Sequence, residues 1–508
     1  MRWTIFVGTL AITALVGLLD TQSTWGQQVT NLSDSSAEAK ETLEVQVLRL
    51  APASEPVPAL QYRFWPNRFE MTAGNAFVRF QRAILLMAQE DRGNPAAAKA
   101  FWNKWQDLIE LPPAELPIEE ARAALETYKV ALKEAHSARL LRDTDYGLPV
   151  EEIRGLETIE ILLPEFQEMR SLARVLQLEI RLAIAEQRYD DAIKTLQAGF
   201  RLGESTGQAI DYLVARLVGL AINGVMLGEV ENLIQSADCP NLYWALASLP
   251  PSTSEVLESI QFEASIVSRV FSSLDNLPPP GLSAEVWEER AIQLFLELQN
   301  VQASGNSPDE GRKITARLLA GAAIVGLSDY SRGKLSEAGI DTEIVERMSP
   351  AEAMVRATAR TVRITQDEFM KWSFLPGNLR DEYWEMAENG LEARRGKEQL
   401  IGDIATVLVG LLLPAMQAAD AAGTRTEQTI ARLITIEAIR DYVAKNGEVP
   451  QSLDQLKDLP AWPDPYSGKP FGYERIDDQS AKLIRTERWS GDTETVVILK
   501  FDVVPSEQ

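Results

Sequence analysis

Apolar residues recur at helical spacing along most of this chain, and the pattern is densest over Leu172–Gly203. Leu172, Leu176, Ile180 and Ala183 fall on one face of a first helix, and Leu178, Leu182 and Ala185 fall on another. A helix that is apolar on two faces belongs between neighbours, not on a surface. After a corner at Gln187-Arg188-Tyr189, a second helix opens on Asp190-Asp191, two acids suited to the positive end of a helix dipole. Its apolar side is Ala192, Ile193, Leu196, Gly199 and Phe200, and the small Ala192 and Gly199 let the paired helix approach closely. The stretch 172–203 therefore predicts a helical hairpin.

The same pattern divides the rest of the chain. Residues 27–73 predict a polar leader, a half-buried strand in which Leu43, Val45 and Val47 alternate with polar residues, and a stiff connector at Ala51–Pro58. Phe64, Trp65 and Phe69 cluster around Pro66 and are expected to pack on the first helices. A helical domain over 74–251 follows. Phe77, Phe80, Ile84 and Met87 share one helix face, and Phe101, Trp102, Trp105 and Ile109 share another, which stops at Leu111-Pro112-Pro113. Ile118–Arg142 reads as one long helix. Ala209–Ile234 is strongly apolar, but Arg216, Asn223 and Glu229 interrupt it and argue against a membrane span. Its Gly224 and Gly228 predict close helix packing. A second helical block, 252–400, breaks at Leu277–Gly281 and Gly305–Gly311, and its aromatic residues are expected to fill a core. In the final module, 401–508, the apolar run Ile404–Met416 ends around Pro414 and a more polar helix follows. Prolines at 450, 460, 463, 465 and 470 then exclude helix, and Phe471–Ile476, Ala481–Arg485 and Thr495–Phe501 predict an antiparallel meander. The fold class is mainly α, a helical-hairpin array with a small C-terminal α+β module.

Charge and composition narrow the function. The 508 residues carry 50 Lys+Arg against 74 Asp+Glu, a balance of −24, the wrong sign for a nucleic-acid footprint. Residues 1–26 have the layout of a secretory signal peptide: Arg2, an apolar run, then Thr24-Trp25-Gly26. The expected location is the periplasm or outside the cell. The alternative is a chain anchored by an uncleaved N-terminal helix, the one circumstance in which a membrane is a partner. Cys239 is the single cysteine and reads as an inert buried thiol.

Candidate chemistries are few. His136 is the only histidine, expected to be a surface or packed residue, and no Gly-x-Ser-x-Gly elbow accompanies it. Zinc sites built from His and Cys are excluded by count. Asp143–Gly147 starts like a calcium loop, but its twelfth position is Arg154. Gly326 and Gly333-Lys334 have the wrong spacing for a phosphate loop. Adjacent acids at Glu151-Glu152, Glu288-Glu289 and Asp381-Glu382 cannot face one another on a helix. No catalytic, cofactor or metal residue is assigned, and no cofactor is expected.

Two resemblances add to this reading. The run Tyr189-Asp190-Asp191-Ala192-Ile193 resembles the turn and second helix of a tetratricopeptide repeat, with Gln187 in place of the turn glycine, Gly199 in place of an alanine and Glu204 in place of a closing proline. Residues 404–476 resemble type II secretion pseudopilins, on Leu411–Ala419, Ala438–Tyr442, Gly447–Leu453 and the loop Asp464-Pro465-Tyr466-Ser467-Gly468-Lys469-Pro470-Phe471-Gly472-Tyr473. That likeness implies a long helix, a proline-fixed loop turning at Gly468, and a small sheet. The signature residues are thus Tyr189, Ala192 and Gly199 in the hairpin and Asp464, Pro465, Gly468, Pro470 and Tyr473 in the loop. As a whole the chain resembles exported planctomycete-type proteins that combine these parts, a likeness that implies an architecture and an address but no activity.

The expected function is an exported helical scaffold of the cell envelope whose array presents a groove to another envelope protein or peptide. The alternative is a carboxylate-dependent glycan-acting hydrolase or lyase, which requires two facing acids in a cleft flanked by Trp287, Trp372 or Trp384. Full burial of those tryptophans removes it.

Overall fold

The computed structural model describes residues 43–150, 152–155, 158, 164–302, 310–394, 400–485 and 494–501, with the side chains of 43–44, 164, 301–302, 388, 391–394, 400–414 and 494–495 outside the description. The signal-peptide segment, most of the polar leader, Glu151 and most of the break at 305–311 lie outside the described residues. Among the described residues, fifteen α-helices and a four-stranded sheet make the fold mainly α with a small α+β module at the C-terminus.

Two compact units divide the chain. The first gathers Asp34–Gly147, Leu163–Val256 and Ala419–Gln508. The second gathers Leu148–Leu162 and Leu257–Ala418 with an N-terminal part outside the described residues. Leader strand, first helical block and C-terminal sheet therefore share one core, although the sequence pattern separates them.

In the first unit, helices α1 (Ala76–Gly93) and α2 (Pro95–Glu110) bury the predicted Phe77, Phe80, Ile84 and Met87, and Phe101 and Trp105. The long helix expected over 118–142 is instead two, α3 (Ile118–Glu126) and α4 (Lys129–Ala138). The chain breaks at Tyr128, whose φ of −110° and ψ of 15° leave the helical region. There its hydroxyl donates to Asp91 at 2.6 Å and its ring meets Phe101 edge-on at 4.8 Å. Leu141–Asp143 then pairs as a strand (β3) with Thr72–Asn75 (β2).

The predicted hairpin is present as α5 (Pro164–Ala185) and α6 (Tyr189–Gln208). Its corner is built from two hydrogen bonds, Arg188 N–H to Ala183 O at 2.8 Å and Gln187 N–H to Ile184 O at 2.9 Å. This is a Schellman ending, which puts one residue in the left-handed region. Gln187 is that residue, with φ of 57°. Gly199 does permit a close approach, but to the following helix, α7 (Leu213–Ile234). A Cβ on Gly199 would sit 2.0 Å from Met226 Sδ, and one on Gly219 would sit 2.5 Å from Gly203 O. Gly224 and Gly228, expected to pack, have nothing within 4 Å of where their Cβ would be. They lie on the outward side of α7.

The C-terminal strands form the expected meander: β4 (Gly472–Arg475), β5 (Ser480–Ile484) and β6 (Glu494–Phe501). The leader strand β1 (Leu43–Leu50) completes the sheet by pairing parallel to β6, Val45 opposite Val496 through Leu50 opposite Phe501. Its buried side is Leu48 and Leu50, while Val45 and Val47 are exposed, the reverse of the face the alternation suggested. Phe64 is buried, but on Phe200 of α6 at 5.5 Å and not on the first helices, and Phe69 is 95% exposed. After a short helix α8 (Tyr243–Ala247), the unit is completed by the end of α15, which runs unbroken from Leu400 to Asn446 through Pro414.

The second unit contains α9 (Leu257–Val270), α10 (Ala284–Gln302), α11 (Glu310–Glu337), α12 (Thr342–Arg347), α13 (Pro350–Met370) and α14 (Gly377–Arg394). Trp287 and Phe295 of α10 pack on Ala316, Ala320 and Ala323 of α11 and on Met354 and Val355 of α13. The alanines keep α11 close to both neighbours.

Candidate functional site

Within the first unit, α3 and α4 stand beside the α5–α6 hairpin and leave a groove of about 470 Å³. Its apolar lining is Leu125, Leu132, Leu182 and Ala183, all buried. Arg122, Lys129, Arg139, Arg188 and Lys194 line it with cationic groups. Most of these charges are answered. Lys129 pairs with Glu126, Arg122 with Glu119 and Glu186, and Arg188 with Glu186 and with Asp191 at 2.7 Å. Arg139 differs: its guanidinium donates to His136 O at 2.9 Å, no carboxylate pairs with it among the described residues, and its buried Nε has no hydrogen-bond partner. Burial pushes its pKa down. A partly dehydrated guanidinium without a counter-ion is a place for an anionic group.

The only histidine also lies here. His136 Nε2 is 2.9 Å from Glu179 Oε2. The buried Thr195 donates its hydroxyl to Asp191 O at 3.0 Å and lies 3.4 Å from Glu179. The hydroxyl is thus directed to a carbonyl and a carboxylate, and not to the imidazole that a nucleophile requires. Sequence reasoning placed His136 on a surface or in packing and missed the groove. The available signal was spacing: Leu125, Leu132, His136 and Arg139 continue one helical stripe from apolar into polar residues.

The signature residues fall elsewhere. Tyr189 is half-buried beside Asp238 and Cys239, Ala192 is buried, and Gly199 meets Met226. In the C-terminal loop, buried Asp464 accepts from Gln428 Nε2 at 3.0 Å and from Tyr466 N–H at 2.9 Å. Its backbone closes the turn: Gly468 N–H donates to Asp464 O, and Asp464 N–H donates to Lys469 O, both at 2.8 Å. Gly468 takes φ of 67°, Pro463 bridges to Pro470, and Pro465 lies inside the turn. Tyr473 donates to Pro450 O at 2.6 Å. These residues fasten the loop.

Buried ions serve the same structural end. Arg440 and Glu437 of α15, both fully buried, pair at 2.7 Å. Arg440 also donates to Ala51 O and Cys239 O, and Glu437 accepts from Leu242 N–H at 2.8 Å. The Cys239 thiol beside them is pushed up to about 12 by burial, so it remains protonated and unreactive at neutral pH. Arg201 of α6 donates to Leu141 O and Arg142 O and pairs with Glu204, whose pKa burial raises.

Other candidate chemistry lacks the required geometry. Asp143 and Asp145 accept from backbone N–H groups of Gly74 and Gly147, which makes their loop a tie to β2. Glu288 and Glu289 are exposed on α10. Trp287 and Trp384 are buried, beneath Arg356 and on Phe369, while the half-buried Trp372 stacks on Tyr383 at 4.5 Å. The tryptophan-flanked cleft that a glycan-acting enzyme requires is not formed by Trp287 or Trp384. Among the described residues no group of three or more His, Cys, Asp or Glu is placed to hold a metal ion. No family model, curated protein or solved structure matches the chain.

Proposed function

We propose that this chain is an exported helical interaction protein of the cell envelope and that the groove between α3–α4 and the α5–α6 hairpin receives a segment of another envelope protein or peptide. The observation that carries this reading is the groove itself, an apolar lining beside the unpaired Arg139 guanidinium. Such a lining suits a segment with one carboxylate next to apolar side chains. The Schellman corner at Gln187 supports the tetratricopeptide-like reading of the hairpin, because the family's turn glycine meets the same backbone demand. The order of long helix, proline-fixed loop and meander supports the pseudopilin-like reading of the C-terminal module. The signal-like residues 1–26 support export.

A photo-crosslinking residue at Lys129 or Lys194, on the groove, and at Lys99, exposed on α2, tests this in the native host. The expected result is a discrete adduct with an envelope protein from the groove positions only, lost when Arg139→Glu is added. Equal adducts from Lys99, no adduct at all, or a purely cytoplasmic adduct overturns it.

A further inference from the structure

Helix α11 packs by one side and leaves the other bare. Ala316, Ala320 and Ala323 are buried, whereas Ile314, Leu318 and Val325 are 51%, 70% and 82% exposed. With the exposed Ala322 these three lie at i, i+4, i+8 and i+11, a single stripe about three turns long. Gly321 and Gly326 flank its centre, with nothing within 4 Å of where their Cβ atoms would be. The middle of the stripe is therefore apolar and low, so another helix can come close. Arg317 flanks its N-terminal half, and beyond Val325 the stripe continues to Asp329 and to Arg332, whose guanidinium is held on Met348 O. Arg317 and Asp329 are exposed, and neither has an ion-pair partner among the described residues.

We infer that this face pairs with the same face of a second copy, antiparallel, about a two-fold axis near Ala322. The charges select both the occupant and the direction. Rotation about that axis brings Asp329 of each copy within a turn of Arg317 of the other, so both unpaired charges are answered at once. A parallel pair sets Arg317 against Arg317 and Asp329 against Asp329. Leu318 then packs near Val325 of the other copy, and Ala322 faces itself, as a self-complementary interface requires. One helix pair buries less than the roughly 1,600 Å² of a standard interface, so the dimer forms in a concentration-dependent way. The inference does not depend on the groove.

The test uses the full chain and a single introduced cysteine, because buried Cys239 does not react. Ala322→Cys should give a disulfide-linked dimer under mild oxidation at tens of micromolar protein, and Val325→Glu added to it should abolish the product. Gly333→Cys should not cross-link, because antiparallel copies hold those positions about 33 Å apart. Arg317→Asp and Asp329→Arg should each weaken self-association at least tenfold by sedimentation velocity, and mixing the two variants should restore it as a heterodimer. The inference is overturned if Ala322→Cys gives no dimer, if Gly333→Cys cross-links as well, or if mixing restores nothing. A chain that stays monomeric yet binds vesicles through this face also overturns it.

Discussion

Helices α7 and α11 are both apolar over most of their surface, yet α7 exposes only Gly224 and Gly228 while α11 leaves Ile314, Leu318 and Val325 in water. The difference lies in where their polar residues sit. Each polar interruption of α7 marks a neighbour. Arg216 donates to Ser252 O, and Asn223 donates to Thr253 O at 2.9 Å. Glu229 accepts from Arg181 of α5 at 2.8 Å and from Gln177 at 2.7 Å. Glycines fill the remaining contact with α6. In α11 the ion pairs are local and exposed, Glu310 with Lys313 and Lys334 with Glu337, and the buried side is Ala316, Ala320 and Ala323, followed by Ser331 and Leu335. Within the chain, the sequence of α7 thus specifies partners on several sides, whereas that of α11 specifies them on one. Of the described helices, α7 is also the one long and apolar enough to cross a membrane, and its buried ion pair shows how such a sequence serves a protein core.

The largest expected effect comes from removing one of those polar contacts. Glu229→Ala leaves Arg181 without its carboxylate while its other donors stay on the carbonyls of Ile109 and Leu111. Breaking a buried pair from one side costs about 3–5 kcal/mol. The corresponding change on α11, Glu337→Ala, removes an exposed i,i+3 contact worth about 0–1 kcal/mol. Hydrogen exchange should show the α5–α7 amides losing protection in the first variant and no change at α11 in the second. Equal losses break the contrast.

A smaller loss is expected at the glycine contact. The Cβ of Gly219→Ala would sit 2.5 Å from Gly203 O and 2.9 Å from both Gly207 Cα and N, all backbone atoms. No side chain can turn away, so α6 and α7 must separate. Overpacking of this kind costs about 1–3 kcal/mol. Gly199→Ala meets the flexible Met226 side chain instead, and its cost should be the smaller of the two in denaturant unfolding.

These residues also show where the sequence could be read and where it could not. Periodicity alone located the hairpin, the stop at Pro112-Pro113 and the three C-terminal strands, because each is decided by neighbours within a few residues. It did not decide which glycines of α7 face a helix. Gly224 and Gly228 form the recognisable motif, yet contact depends on which side of α7 the rest of the core occupies, and Gly219 is the one on that side, against Gly203 and Gly207 of α6. The partner of β1 was equally hidden, since β6 lies some 450 residues further along. The orientation of β1 misled for the same reason: Val45 and Val47 alternate as well as Leu48 and Leu50 do, and only the sheet's packing selects between them. The groove was half legible. Leu125 and Leu132 marked the inner side of that region, but His136 and Arg139 gain meaning only when α5 and α6 stand opposite.

The mildest test separates the two sides of α7 and extends to α11. Gly228 on α7 and Gly333 on α11 are helical, and neither has an atom within 4 Å of where a Cβ would be. Alanine there adds no clash and restricts the unfolded chain, a gain of up to about 1 kcal/mol each. Gly228→Ala should therefore raise the denaturation midpoint, while Gly219→Ala on the same helix, nine residues earlier, lowers it. Gly333→Ala should match Gly228→Ala in sign and size, because both helices present the same solvent to those positions however differently their inner sides are packed. A destabilised Gly228→Ala would mean that the outward glycines of α7 do meet a neighbour, and the distinction drawn between its two faces would fail.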